Sequence, residues 1–208
     1  MEKNYQSNYI QSINIGLISS KFFTKKAEED INLFFESINN LLLQLKQSKK
    51  RIFFFGNGAS ASFANHMALD FSKNGGINSK SLSDSAMLTA LSNDYSFDQA
   101  MVEYLKIENV ESNDLVITIS SSGNSPNIIN VLDYCKMNNI RTLALSGLKS
   151  DNKSILLSYY SIYVPMKTYG MVECIHQIFL HLILDNSMDI YEWDRNEFQN
   201  MNATNFKL

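Results

Sequence analysis

The chain has 208 residues, 45% of them hydrophobic and 19% charged, with a formal net charge of −3. That is enough for one sizeable domain with a hydrophobic core and too little for two comfortable ones, and the mix excludes whole-chain disorder. The slight acidity argues against general nucleic-acid binding, which needs a basic surface to neutralise phosphates.

Two cysteines, Cys135 and Cys174, stand without CxxC spacing, which excludes a disulfide framework and suits a reducing cytoplasm. Residues 1–20 are polar where a signal peptide would be apolar, and no apolar run reaches the length of a membrane span. A cytoplasmic location without a membrane partner is expected.

The chain reads as helical up to residue 50. From Ala27 to Lys49, the apolar residues Ile31, Phe34, Phe35, Ile38, Leu41, Leu42 and Leu45 recur at spacings of three and four, which predicts an amphipathic helix. Its stripe suits core or subunit packing, and its breadth predicts self-association. Residues 1–50 are therefore assigned to N-terminal helices of the same domain, 51–186 to its core, and 187–208 to a tail containing Trp193 and Phe206.

Beyond residue 50, short apolar runs alternate with helix-length segments. Arg51–Phe55 breaks at Gly56, Asp114–Ile119 at a serine cluster, Arg141–Leu145 at Ser146-Gly147, and Tyr159–Val164 at Pro165, with a weaker run at Ile77–Leu82. Such a pattern predicts an α/β fold with a five-stranded parallel sheet flanked by helices. Ligands of such sheets bind beyond the carboxyl ends of the strands, so the residues after these runs carry the functional reading.

Three such segments stand out. Gly56-Asn57-Gly58-Ala59-Ser60 follows the first run and opens a helix, which permits close backbone approach to a ligand and offers free N–H groups to an anion. It is neither a Walker loop nor a dinucleotide fingerprint. Ser120-Ser121-Ser122-Gly123-Asn124-Ser125 precedes a helix through Ile128, Ile129, Leu132 and Met137; its hydroxyls and the helix N-terminus suit a phosphate. One serine before Pro126 would be enough for capping. Ser83-Asp84 and Ser92-Asn93-Asp94 are turn-prone.

The three histidines add a further pattern. Asp70 lies four residues after His66, and Glu173 eight before His181 on a late helix from about Gly170 to Asp185, so each pair shares a helix face. Four N/O ligands of this kind suit zinc or a similar divalent ion. His176, five residues before His181, projects elsewhere and is expected to pack or to meet another subunit.

Taken together, Gly56-Asn57-Gly58-x-Ser60, Ser92-Asn93-Asp94 and Ile119-Ser-x-Ser-Gly-Asn-Ser125 resemble the SIS (sugar isomerase) domain, specifically its phosphoheptose isomerase branch, over roughly Ala27 to Leu184. The resemblance implies a flavodoxin-like sheet and a homotetramer with active sites between subunits. It also implies interconversion of sedoheptulose 7-phosphate and D-glycero-manno-heptose 7-phosphate for lipopolysaccharide or capsule. Carried over by residue, the phosphate lies against Ser120, Ser121, Ser122 and Ser125. Asn57, Gly58, Ser60, Asp94 and Glu173 meet the substrate, and Asp70 and His181 are the catalytic pair. A zinc site is implied at His66, Asp70, Glu173 and His181, where Asp70 replaces the family's Glu and Glu173 its Gln. Tyr169-Gly170-Met171-Val172-Glu173 departs from a charged stretch of the standard isomerase. A non-catalytic phosphosugar- or protein-binding module is the alternative function. A DNA-binding regulator is disfavoured, because no helix-turn-helix or basic arm is present.

Overall fold

Phe53 and Phe55 pack on one side of a sheet, Ile52 and Phe54 on the other. A run that is apolar at every position is what a strand covered on both faces requires. The computed structural model describes residues 4–191. In chain order the elements are α1 (Tyr5–Ile18), β1 (Lys21–Thr24), β2 (Ala27–Glu29), α2 (Ile31–Gln47), β3 (Ile52–Gly56), α3 (Ala59–Lys73), β4 (Ser79–Ser81) and α4 (Ser85–Asp94). They continue with α5 (Phe97–Ile107), β5 (Leu115–Ser120), α6 (Pro126–Met137), β6 (Arg141–Gly147), α7 (Lys153–Leu157), β7 (Tyr160–Val164) and α8 (Tyr169–Ser187).

The strand order is β2-β1-β7-β6-β5-β3-β4. The five strands from β7 to β4 are parallel, as the apolar runs predict, in the flavodoxin-like order with its switch point between β3 and β5. Phe34, Phe71, Val172 and Phe179, from α2, α3 and α8, fill one face; Leu91, Leu105 and Leu132, from α4, α5 and α6, fill the other. At the amino end of the sheet the buried Asp114 carboxylate accepts hydrogen bonds from the Arg51 backbone N–H at 2.9 Å and its guanidinium at 2.7 Å, tying β3 to β5.

The sheet is wider than predicted. Residues 21–29 form a hairpin whose first strand pairs antiparallel with β7, placing Phe22 opposite Ile162. Phe22 is buried against Phe34, Phe35 and Phe179 at ring-centroid distances of 5.2, 5.5 and 5.6 Å. The helix expected from Ala27 therefore starts at Ile31, where the Asp30 carboxylate caps the Asn32 N–H at 2.9 Å.

The apolar stripe of α2 is buried within the chain from Phe34 to Leu45, and Ile31 alone of the predicted set is exposed. The stripe is thus consumed by the core, and its breadth no longer argues for self-association. Ser92-Asn93-Asp94 forms the last turn of α4 rather than a loop. From residue 192 onward the tail, with Trp193 and Phe206, lies outside the described residues. No helix among the described residues is long and apolar enough to cross a membrane.

Candidate active site

The first loop sits at the switch point. A Cβ on Gly56 would lie 2.5 Å from the Ser60 backbone, so the turn from β3 into α3 closes only on glycine. Gly58 has φ +56° and ψ −124°, a conformation that L side chains resist, and the space beside its Cα is open. Ser60 is buried, with its N–H on the Asn57 carbonyl at 3.0 Å.

Asn57 reaches across to the neighbouring loop. Its side-chain amide exchanges two hydrogen bonds with the buried Asn127, at 3.0 and 2.8 Å. This pair ties the mouth of β3 to the mouth of β5.

The serine loop is held from beneath. Gly123 has φ +62°, and a Cβ there would meet the Asn152 carboxamide at 2.2 Å. The Gly123 carbonyl accepts from the Ser154 N–H at 3.0 Å and hydroxyl at 2.9 Å, and the Lys153 N–H donates to the Asn124 side chain at 3.0 Å. The start of α7 therefore clamps the loop. Ser120 and Ser121 are buried, Ser122 and Ser125 half-buried. Ser125 occupies the N-cap position of α6 before Pro126, yet its hydroxyl makes no cap bond and lies 3.4 Å from that of Ser120. A hydroxyl not spent on capping, at a helix N-terminus, is what an anion site needs.

A second group forms where α3 and α8 meet. His66 Nε2 lies 3.2 Å from Asp70 Oδ2, and the His66 and His181 ring centroids are 5.5 Å apart. One ligand atom from each of His66, Asp70 and His181 lies within 4.8 Å of the others. Three N/O donors so spaced are suited to a divalent cation with one position left open. Glu173, half-buried on α8, is not part of this group.

In its place stands Gln177, which sequence reasoning missed although it lies four residues before His181 on the same helix face. Its Nε2 lies 2.8 Å from His181 Nε2, and its Oε1 is buried without a partner. The donor set fits a metal, and Gln177 engages Nε2, one of the two ring nitrogens that His181 could offer a cation.

His176 stands apart from the group and packs inside its own chain, the first of the two roles expected of it. It is fully buried with Nε2 3.1 Å from the Ser146 carbonyl. Burial lowers its pKa to about 4. Asp94 is exposed at the end of α4 and accepts from the Asn93 amide at 3.0 Å.

The chain is also similar to known proteins. The SIS domain family model matches residues 20–147. The phosphoheptose isomerase of Helicobacter pylori (strain Shi470) is 30% identical over 183 residues, covering 82% of this chain and 93% of the relative. That of Aneurinibacillus thermoaerophilus is 32% identical, covering 76% and 81%. Among solved structures, a phosphoheptose isomerase from Neisseria gonorrhoeae superposes with a TM-score of 0.68 at 26% identity, covering 74% of this chain and 84% of the other. One from Francisella tularensis gives 0.76 at 20% identity, covering 91% and 100%, and speaks for the fold. The order of the sheet, the paired loops at its switch point and these matches together place the chain in the SIS-domain phosphoheptose isomerase family.

Proposed function

We propose that the chain is an aldose–ketose isomerase that interconverts sedoheptulose 7-phosphate and D-glycero-manno-heptose 7-phosphate, supplying heptose for surface polysaccharide. The observation that carries the reading is the convergence of His66, Asp70 and His181 from two helices, on an α3 that itself begins at the switch-point crevice. Asp70 lies ten residues beyond Ser60 on that helix, about 15 Å along its axis. A heptose 7-phosphate carries its phosphate and its carbonyl at opposite ends, so an anion loop and a proton-transfer group should stand apart.

In this reading the hydroxyls of Ser120, Ser121, Ser122 and Ser125 and the N-terminus of α6 hold the phosphate. Ser60 and the open backbone at Gly58 face the sugar, with Glu173 and Asp94 as further sugar contacts. Asn57, engaged by Asn127, chiefly holds the two loops in register. At the reacting end, Asp70 and His181 divide proton removal from carbon and proton delivery to the enediol oxygen, which needs a base and an acid within reach of neighbouring carbons. A zinc ion on His66, Asp70 and His181 would polarise the carbonyl. A histidine nitrogen bound to metal carries no proton, so Asp70 is the better placed of the pair to act as base when an ion is present.

The functional unit is read as a homotetramer. A groove of about 920 Å³ between the start of α2, α3 and α8 contains Phe35, Phe63, Ile178, Leu182 and His181. Ile10, Ile15 and Ile18 of α1 are exposed. A second copy seated on such apolar surface would close off the His181 end of the site. Cys135 and Cys174 are both free thiols, which fits a reducing cytoplasm. Turnover of sedoheptulose 7-phosphate by the purified chain tests the reading; binding of the sugar phosphate without turnover would favour the non-catalytic module.

A further inference from the structure

The β1–β2 hairpin turns on Lys25 and Lys26, with Thr24 paired to Ala27. Both lysines have positive φ, +49° and +73°. A two-residue turn of this kind is satisfied most readily by Asn-Gly, and a lysine at either position adopts a backbone region that its Cβ resists. The chain nevertheless places two long cations there, and strained residues of this sort are a reason to look for a function.

What they face is a concavity of about 380 Å³ at the amino ends of β6 and β7, lined by Lys25, Lys26, Lys136 and Arg141 together with Ile140, Leu156, Leu157 and Tyr159. No Asp or Glu lines it, although the chain as a whole has a net charge of −3. None of the four cations has an ion-pair partner among the described residues, a state they share with Lys46, Lys49, Lys73, Lys149, Lys153 and Lys167; what sets the four apart is that they line one concavity. Local roles account for two of the four in part: Lys136 lies in the last turn of α6, where a cation offsets the helix dipole, and the Lys25 ammonium sits 5.2 Å over the Tyr159 ring. Lys26 and Arg141 have no such explanation.

This pocket is separate from the serine loop. Arg141 opens β6, and Ser146, the partner of Ser120 in the sheet, lies five residues further, about 17 Å along the strand.

We propose that the pocket is a second anion site that takes a diphosphate ester with a flat apolar substituent, of the nucleoside diphosphate class. Four cations around one concavity outweigh the negative charge of a diphosphate ester. The wall of Ile140, Leu156, Leu157 and Tyr159 gives the attached ring a surface that inorganic phosphate alone would not use.

The test is calorimetric titration of the full chain with ADP at low salt. Lys25→Asn combined with Lys26→Gly removes both charges while supplying the residues the turn prefers, so it should melt no lower than wild type and bind ADP at least about tenfold more weakly. Arg141→Gln, on an exposed strand end, should weaken binding to a similar degree. Ser120→Ala with Ser122→Ala should leave ADP affinity unchanged. Absence of saturable binding, equal binding by the turn variant, or loss of binding in the serine-loop variant would overturn the proposal.

Discussion

The side-chain nitrogen of Gln177 lies 2.8 Å from Nε2 of His181. The same nitrogen is 3.6 Å from the Met67 sulfur, a weak acceptor, which orients the amide with its N–H groups towards both. His181 must then accept at Nε2 and carry its proton on Nδ1. Gln177 thereby fixes the tautomer of His181 and would compete with a cation that binds at Nε2. Gln177→Leu is expected to tighten zinc binding by about tenfold, roughly the worth of one hydrogen bond to the ring, as read by competition with a chromogenic chelator. Unchanged or weaker zinc binding would mean that the two nitrogens do not compete.

The serine loop predicts a separation of affinity from stability. Ser120→Ala with Ser122→Ala removes two donors to a charged group, worth about 3 kcal/mol or more together, so affinity for sedoheptulose 7-phosphate should fall by at least about a hundredfold. The thermal midpoint should move little, because the Ser122 hydroxyl accepts only from the Asn124 N–H of its own loop, at 3.2 Å, and the Ser120 hydroxyl meets only that of Ser125, at 3.4 Å.

Gly123 predicts the reverse coupling. At φ +62° and with the Asn152 carboxamide in the way, Gly123→Ala must displace the clamp from α7 as well as strain the backbone. A loss of about 1–3 kcal/mol is expected from the backbone term, measured by urea unfolding, with the serine loop's affinity falling alongside.

These positions divide according to what a sequence can express. Four of the five parallel strands are legible because doubly buried strands are largely apolar, as in Ile52–Phe55; β4, Ser79–Ser81, is a half-buried polar edge and gives only the weaker signal around it. The hairpin is not legible, because Phe22 is its one fully buried side chain and its turn carries Lys25-Lys26 where Asn-Gly would signal it. The start of α2 is set by Asp30, whose carboxylate caps the helix before Ile31, whereas the apolar period alone does not mark where the helix begins. Ser92-Asn93-Asp94 is turn-prone in composition, yet it continues the helix to which the buried Leu91 belongs. The pairs His66–Asp70 and Glu173–His181 were legible by spacing alone, but spacing along one helix does not say which residue of α8 meets α3. That is why Gln177 was missed. Asn127 is a buried amide whose exchange with Asn57 spans 70 residues, and nothing local announces it; Asn152 caps α7 locally, but its contact beneath Gly123 is not legible from that.

His176 gives a pH dependence of stability with a definite sign. Its folded-state pKa, lowered to about 4 by burial, lies below its ordinary value of 6.5. Between these values the unfolded chain binds a proton that the folded chain does not. Stability from this group is therefore complete above pH 6.5 and is lost progressively as pH falls towards 4, by up to about 3 kcal/mol. Urea unfolding at pH 7.0 and about pH 4.5 should show that loss in the wild type, and a smaller loss in His176→Gln. An equal loss in both would assign the acid sensitivity to other groups.

The central claim is that Asp70 and His181 carry an isomerisation. Its most direct measurement is the turnover of sedoheptulose 7-phosphate by wild type, Asp70→Asn and His181→Ala, with bound zinc determined on each. Both side chains are partly open to solvent, and neither fills the core, so the variants are expected to fold. The account predicts a fall in kcat of about two to four orders of magnitude in each variant, with zinc content falling alongside where the residue serves chiefly as a ligand. Turnover close to wild type in both variants would contradict it.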